Sequence, residues 1–156
     1  MLRFTLAALM GLAIVNLLIG VFLRYIMTEI TDFFDLDMIR YTWVEEVGEL
    51  ALAYMALIGG AVGIRERAHF TLHLGVARLS QRAQRAIGVF NAVLIVAFGV
   101  LVTWHAWGLS VLNVLLTSPA LEINLAWLYG SAVLGGVLIA FYGLRMLLDL
   151  KRGQAV

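Results

Sequence analysis

RYTWVEEVGELALAYMALIGGAVGIRERAH, running from Arg40 to His69, decides the fold. Glu45, Glu46 and Glu49 open an apolar run that ends at Ile64; Arg65 and Arg67 close it, and His69 follows. From Tyr41 to Ile64 the run matches the roughly 20 residues, at 1.5 Å each, that a helix needs to cross a bilayer. Acids at the entrance of such a helix are costly and want a reason. At about 100° per residue, Glu45, Glu49, Leu52, Ala56, Gly59 and Gly63 fall on one face, with Gly60 at its edge. This is the seam spacing of packed helices. Gly59-xxx-Gly63 is the small-residue pattern that lets another backbone come close inside a membrane. Val47, Leu50, Tyr54, Leu57, Ile58 and Ala61 lie opposite, and this side is expected to face lipid.

Composition agrees with a membrane chain. Of 156 residues, 63% are hydrophobic and 13% charged, against roughly 45–50% and 25% in soluble domains. A single membrane domain is expected. Without cysteine, disulfides and thiolate metal sites are excluded.

Outward from the central stretch, three more crossings can be placed. Phe4 to Leu23 is uncharged between Arg3 and Arg24. It is too long for a signal-peptide core and lacks a small-x-small cleavage site. An uncleaved first helix over about 3–27 is expected, with Ala7-xxx-Gly11 as a packing notch. The acidic connection after it carries Phe33 and Phe34, expected to rest on the membrane interface. The second helix covers about 41–65. Between Arg65 and Arg85 a basic stretch interleaves Phe70, Leu72, Leu74, Val76 and Leu79 with polar residues, as a short interfacial segment would. Ala86 to Leu121 has no Asp, Glu, Lys or Arg, and Asn113, Thr117, Ser118 and Pro119 mark its exit from the membrane. The third helix is placed at about 86–110, with Trp104 and Trp107 near its end. The fourth is placed at about 123–146, with Trp127 and Tyr129 near its start and Ala132, Gly136 and Ala140 along one side.

Lys and Arg placement gives the orientation. The first connection has two Arg, the second five and the third none, and Arg145, Lys151 and Arg152 close the chain. Positive residues stay in the cytoplasm. The expected fold is therefore an all-α membrane protein of four transmembrane helices, N-in and C-in.

Three readings of the acids stay open. Glu45, Glu46 and Glu49 serve as contacts to another protein, as complements of the helix dipole at about 0.3–1 kcal/mol each, or as proton or cation ligands. His69 and His73 have a spacing at which one metal could bridge them. His105 stands about 19 residues up the third helix, roughly 28 Å away, and cannot join them. No metal or cofactor is expected. Trp43 and Tyr41 read as interface anchors, and the basic clusters as topology determinants that touch membrane lipids. No nucleophile–base pair, phosphate-binding glycine loop or nucleic-acid motif occurs, so neither an enzyme nor a nucleic-acid binder is expected.

Trp43-x-Glu45-Glu46, then Leu57-Ile58-Gly59-Gly60-Ala61, then Arg65-x-x-x-His69 resembles the central signature of the small transmembrane subunit of tripartite ATP-independent periplasmic (TRAP) transporters, the DctQ type. Phe22-Leu23-Arg24-Tyr25 and Trp127-Leu128-Tyr129 resemble it too, and the likeness spans essentially the whole chain. The chain departs at His73, where the family often has an acid, and around Asn124 and Val133, where it often has proline. The resemblance implies a scaffold subunit in the bacterial inner membrane. Its partners would be a large TRAP membrane subunit, which carries the transport site, and a periplasmic substrate-binding protein that delivers an organic acid for sodium-driven import. The interface set given by seam and signature is Trp43, Glu45, Glu46, Glu49, Ala56, Gly59, Gly60, Gly63, Arg65 and His69. The competing reading is a haem-bearing membrane anchor of a redox enzyme.

Overall fold

A computed structural model describes residues 2–34, 41–66 and 80–152. Most of the expected interfacial segment, with His69 and His73, lies outside the described residues. Four helices are long and apolar enough to cross a membrane: α1 (Leu2–Phe33), α2 (Thr42–Arg65), α3 (Gln81–Leu112) and α4 (Ala126–Lys151). Among the described residues there is no β-strand, only an isolated bridge between Thr117 and Asn124.

Capping chemistry explains several helix ends. The third helix starts five residues before the charge-free run, because the Ser80 hydroxyl accepts from the Ala83 N–H at its N-terminus. Arg82 and Arg85 therefore ride on its first turns. The Asn113 side chain donates to the Leu109 carbonyl where the helix ends. The fourth helix begins at Ala126, whose N–H is held by the Asn124 side-chain oxygen. Within α1, Leu23–Met27 forms one wider π-helical turn. The Thr28 hydroxyl bonds back to the Arg24 carbonyl and that of Thr31 to the Met27 and Thr28 carbonyls, a competition that locally distorts helices.

The helices stand in a row, α1–α2–α4–α3, and not in a closed bundle. The first helix packs on α2, α2 also on α4, and α4 also on α3; α1 makes no substantial contact with α3 or α4. Glycines place α4 in the middle. A Cβ on Gly136 would lie 2.5 Å from the Thr103 Oγ1 and 2.9 Å from the Gly99 carbonyl oxygen, so α3 crosses α4 backbone to backbone. The next-door Gly135 points about 100° away along the helix and receives Leu57 of α2, whose Cβ would be 2.5 Å from an added methyl. Two adjacent glycines thus serve two neighbouring helices. A small core of Ala61, Ile95, Ile139 and Tyr142 joins α2, α3 and α4.

The α1–α2 contact depends on one polar residue. Asn16 is buried, and its Nδ2 donates to the Val44 carbonyl at 2.8 Å. Val44 in turn sits against Gly20. At the other end of the pair, Arg3 Nε and Glu66 Oε1 are 2.6 Å apart, and Arg3 holds the Glu66 carboxyl below its usual range. Gly11, expected as a packing notch, has open space around it. The contact runs instead through Leu6, Asn16 and Gly20.

Candidate functional site

The face expected to meet lipid is the one that packs inside the chain. Ala61 is fully buried, Leu57 rests on Gly135, and the Tyr54 hydroxyl donates to the Trp127 carbonyl at 3.0 Å. The error has a physical cause. The acids, the seam spacing and the small residues together point one face to protein and its opposite to lipid, but a glycine on the neighbouring helix makes Leu57 the better filler.

The seam face is left open by the same packing. Glu45, Glu49, Leu52 and Ala56 are exposed, Leu52 at 56%. A Cβ on Gly60 would meet nothing within 4 Å, and one on Gly59 would meet only the tip of Leu6 at 3.9 Å. Gly63 is half-buried, and Trp43 stands exposed at the rim. Neither Glu45 nor Glu49 has a hydrogen-bond or ion-pair partner among the described residues. Glu49 lies about 9 Å along the helix from Trp43 at 1.5 Å per residue, well inside the entrance.

Glu46 does something else. Its Oε1 accepts from the Ala120 N–H and its Oε2 from the Leu121 N–H, both at 2.8 Å. Those donors belong to the connection between α3 and α4. The connection is folded on itself: Ser118 N–H donates to the Ile123 carbonyl, Leu125 N–H to the Leu116 carbonyl, and Glu122 adopts φ 54°. The Asn124 side chain also donates to the Val114 carbonyl. So Asn124 holds both this connection and the start of α4.

The structure therefore divides the sequence-derived set. Glu45, Glu49, Ala56 and Gly60 face out of the chain, with Trp43 beside them. Glu46 bonds within it, and Gly59 borders α1. Arg65 lies 6.0 Å over the Tyr142 ring at the opposite end of α2, a cation–π contact with α4. His69 is outside the described residues. His105 is exposed on α3, and its Nδ1–H donates to the Leu101 carbonyl at 3.0 Å. Among the described residues no group of three or more His, Asp or Glu is placed to share a metal.

Sequence reasoning missed Asn16, Gly99 and the backbone donors at Ala120 and Leu121. Asn16 was visible in principle, as the one amide inside the first apolar run. Nothing in the sequence marks which N–H groups meet Glu46, because that depends on how the connection turns.

Comparison with curated proteins finds no match. The family of tripartite ATP-independent periplasmic transporters, DctQ component, matches residues 13–153, from the middle of α1 through the end of α4, and the chain belongs to that family.

Proposed function

We propose that the chain is the scaffold subunit of a sodium-driven importer in the bacterial inner membrane. Its large membrane partner carries the transport site, and a periplasmic binding protein delivers an organic acid. Family membership supports the small-subunit role. The observation that carries the reading is the open α2 face: two carboxylates, Glu45 and Glu49, point out of a one-layer row with no partner among the described residues of their own chain. Unpaired acids facing hydrocarbon are costly, whereas a basic side chain on a second membrane protein would satisfy them. The flat stretch of Ala56 and Gly60 beside them suits close helix contact, which drives association where lipid is as apolar as leucine. The interface set of Trp43, Glu45, Glu49, Ala56, Gly59, Gly60 and Gly63 belongs to this reading, with Arg65 at the other end of α2; His69 lies outside the described residues.

Co-purification from the native membrane, with mass spectrometry of the proteins retained, tests it. The wild-type chain should bring down a large membrane protein, and Glu49→Gln should recover at least several-fold less of it. Ile58→Leu, which keeps the volume of a residue on the inward side, should recover the wild-type amount. Equal recovery of Glu49→Gln and wild type would remove the open face from the interface.

A further inference from the structure

We infer that Glu46 is a positioning residue: its carboxylate fills an anion nest in the 113–125 connection and ties the start of α2 to the link between α3 and α4. Consecutive backbone N–H groups that converge on one point make an anion-binding concavity. Here the donors are Ala120 and Leu121, each 2.8 Å from a different oxygen of the same carboxylate. Their convergence comes from the turn around them, with Glu122 at φ 54° and its N–H donating to the Ser118 carbonyl at 3.2 Å. The buried Ser118 hydroxyl lies beside the same carboxylate and is a further donor within its reach.

The tie matters because of the row. The second and third helices have no substantial contact with each other and meet mainly through α4. Near the start of α2, the Glu46 bonds join it to the chain that leaves α3, while the Tyr54 hydroxyl, about two turns on, joins it to α4. Two polar ties at two heights fix the helix in rotation as well as position. Rotating α2 by about 100° would bring Glu45 to the nest, but would also lift Leu57 off Gly135 and Ala61 out of the core. Glycine packing and nest therefore select the same rotation, in which Glu46 turns inward and Glu45 and Glu49 turn out. Adjacent acids do separate work, and only the outward pair rests on the proposed assembly with a large subunit.

The test is amide exchange on the purified full-length chain, in its complex where one co-purifies. Glutamine at position 46 keeps one acceptor oxygen but turns an NH2 group toward the second N–H donor. Glu46→Gln should speed exchange at Ala120 and Leu121 at least tenfold and leave the middle of α3 and α4 unchanged. Glu45→Gln should leave Ala120 and Leu121 at the wild-type rate. Unchanged exchange at these two amides in Glu46→Gln would overturn the assignment. So would a uniform rise along all helices, which marks general loosening, or an equal effect of Glu45→Gln. The readout lies within this chain, so failed assembly with a partner would not imitate a failed nest.

Discussion

Gly99→Ala adds one methyl at the tightest crossing of the row. Its Cβ would stand 2.5 Å from the Ala140 backbone nitrogen, 2.8 Å from the Gly136 carbonyl oxygen and 2.9 Å from the Ala140 Cα. Favourable carbon contacts begin at roughly 3.5 Å, so the α4 backbone must retreat by about 1 Å. No rotamer change relieves this, because all three neighbours are main chain. Overpacking of this kind costs about 1–3 kcal/mol. Alanine in place of glycine inside a helix returns about 0.5–1 kcal/mol. The net loss is about 0–2.5 kcal/mol, where about 1.4 kcal/mol is tenfold in the folding equilibrium. Gly108→Ala is the control on the same helix, since a Cβ there would meet nothing within 4 Å. It should keep the helical gain without the clash. Thermal or SDS unfolding of detergent-purified protein, followed by circular dichroism, should place Gly99→Ala below wild type and Gly108→Ala at or above it. If Gly99→Ala matched or exceeded Gly108→Ala in stability, the backbone-to-backbone crossing of α3 and α4 would be refuted.

Asn16→Leu removes the bond to the Val44 carbonyl and should lower stability by about 0.6–2 kcal/mol, the range of interhelical hydrogen bonds in membranes; Leu17→Ala, at an exposed neighbour, should change little, and equal midpoints for the two would show that the buried amide does not hold α1. The Lys and Arg distribution predicts that the 113–125 connection is outside and the C-terminus inside; reporter fusions at Pro119 and Gln154 should then report periplasm and cytoplasm, and a shared compartment would sink this orientation.

Much of the architecture was legible because the bilayer imposes it. A span length near the hydrocarbon thickness, and arginines gathered at alternate connections, give four crossings without knowledge of any contact. Gly136 and Ala140 were legible for a similar reason: small residues at spacing four mark a close approach, and both meet Gly99. Their partner was not legible, since Gly99 has no Gly, Ala or Ser three or four positions away to mark a period with it; Ala92 and Ala97 lie off that spacing. Nor was the row. Helix order depends on which grooves fit which ridges, and Gly135 shows how little sequence that takes. One missing side chain, next to a glycine already committed to α3, brings Leu57 and with it the whole of α2 to the other side of α4.

The same glycine explains why the seam on α2 was assigned to protein for a reason that does not hold inside this chain. In water, the apolar side of a helix is the buried side. In a membrane both sides are apolar, and the difference between them is shape. Leu57 and Tyr54 are large, yet they find Gly135 and the Trp127 carbonyl and become inward residues. Ala56 and Gly60 are small, yet Ala56 stays exposed and the space beside Gly60 stays open. Polar groups resolve what shape leaves open. Glu46 has two N–H donors at 2.8 Å and needs no further partner; Glu45 and Glu49, one and three positions away, have none among the described residues. Helix phase and residue size thus misassign the inner face, whereas carboxylate satisfaction separates an acid with two donors inside the chain from two with no partner among the described residues. That distinction, more than the glycine pattern, is why the proposed assembly is placed on the Glu45–Glu49 face.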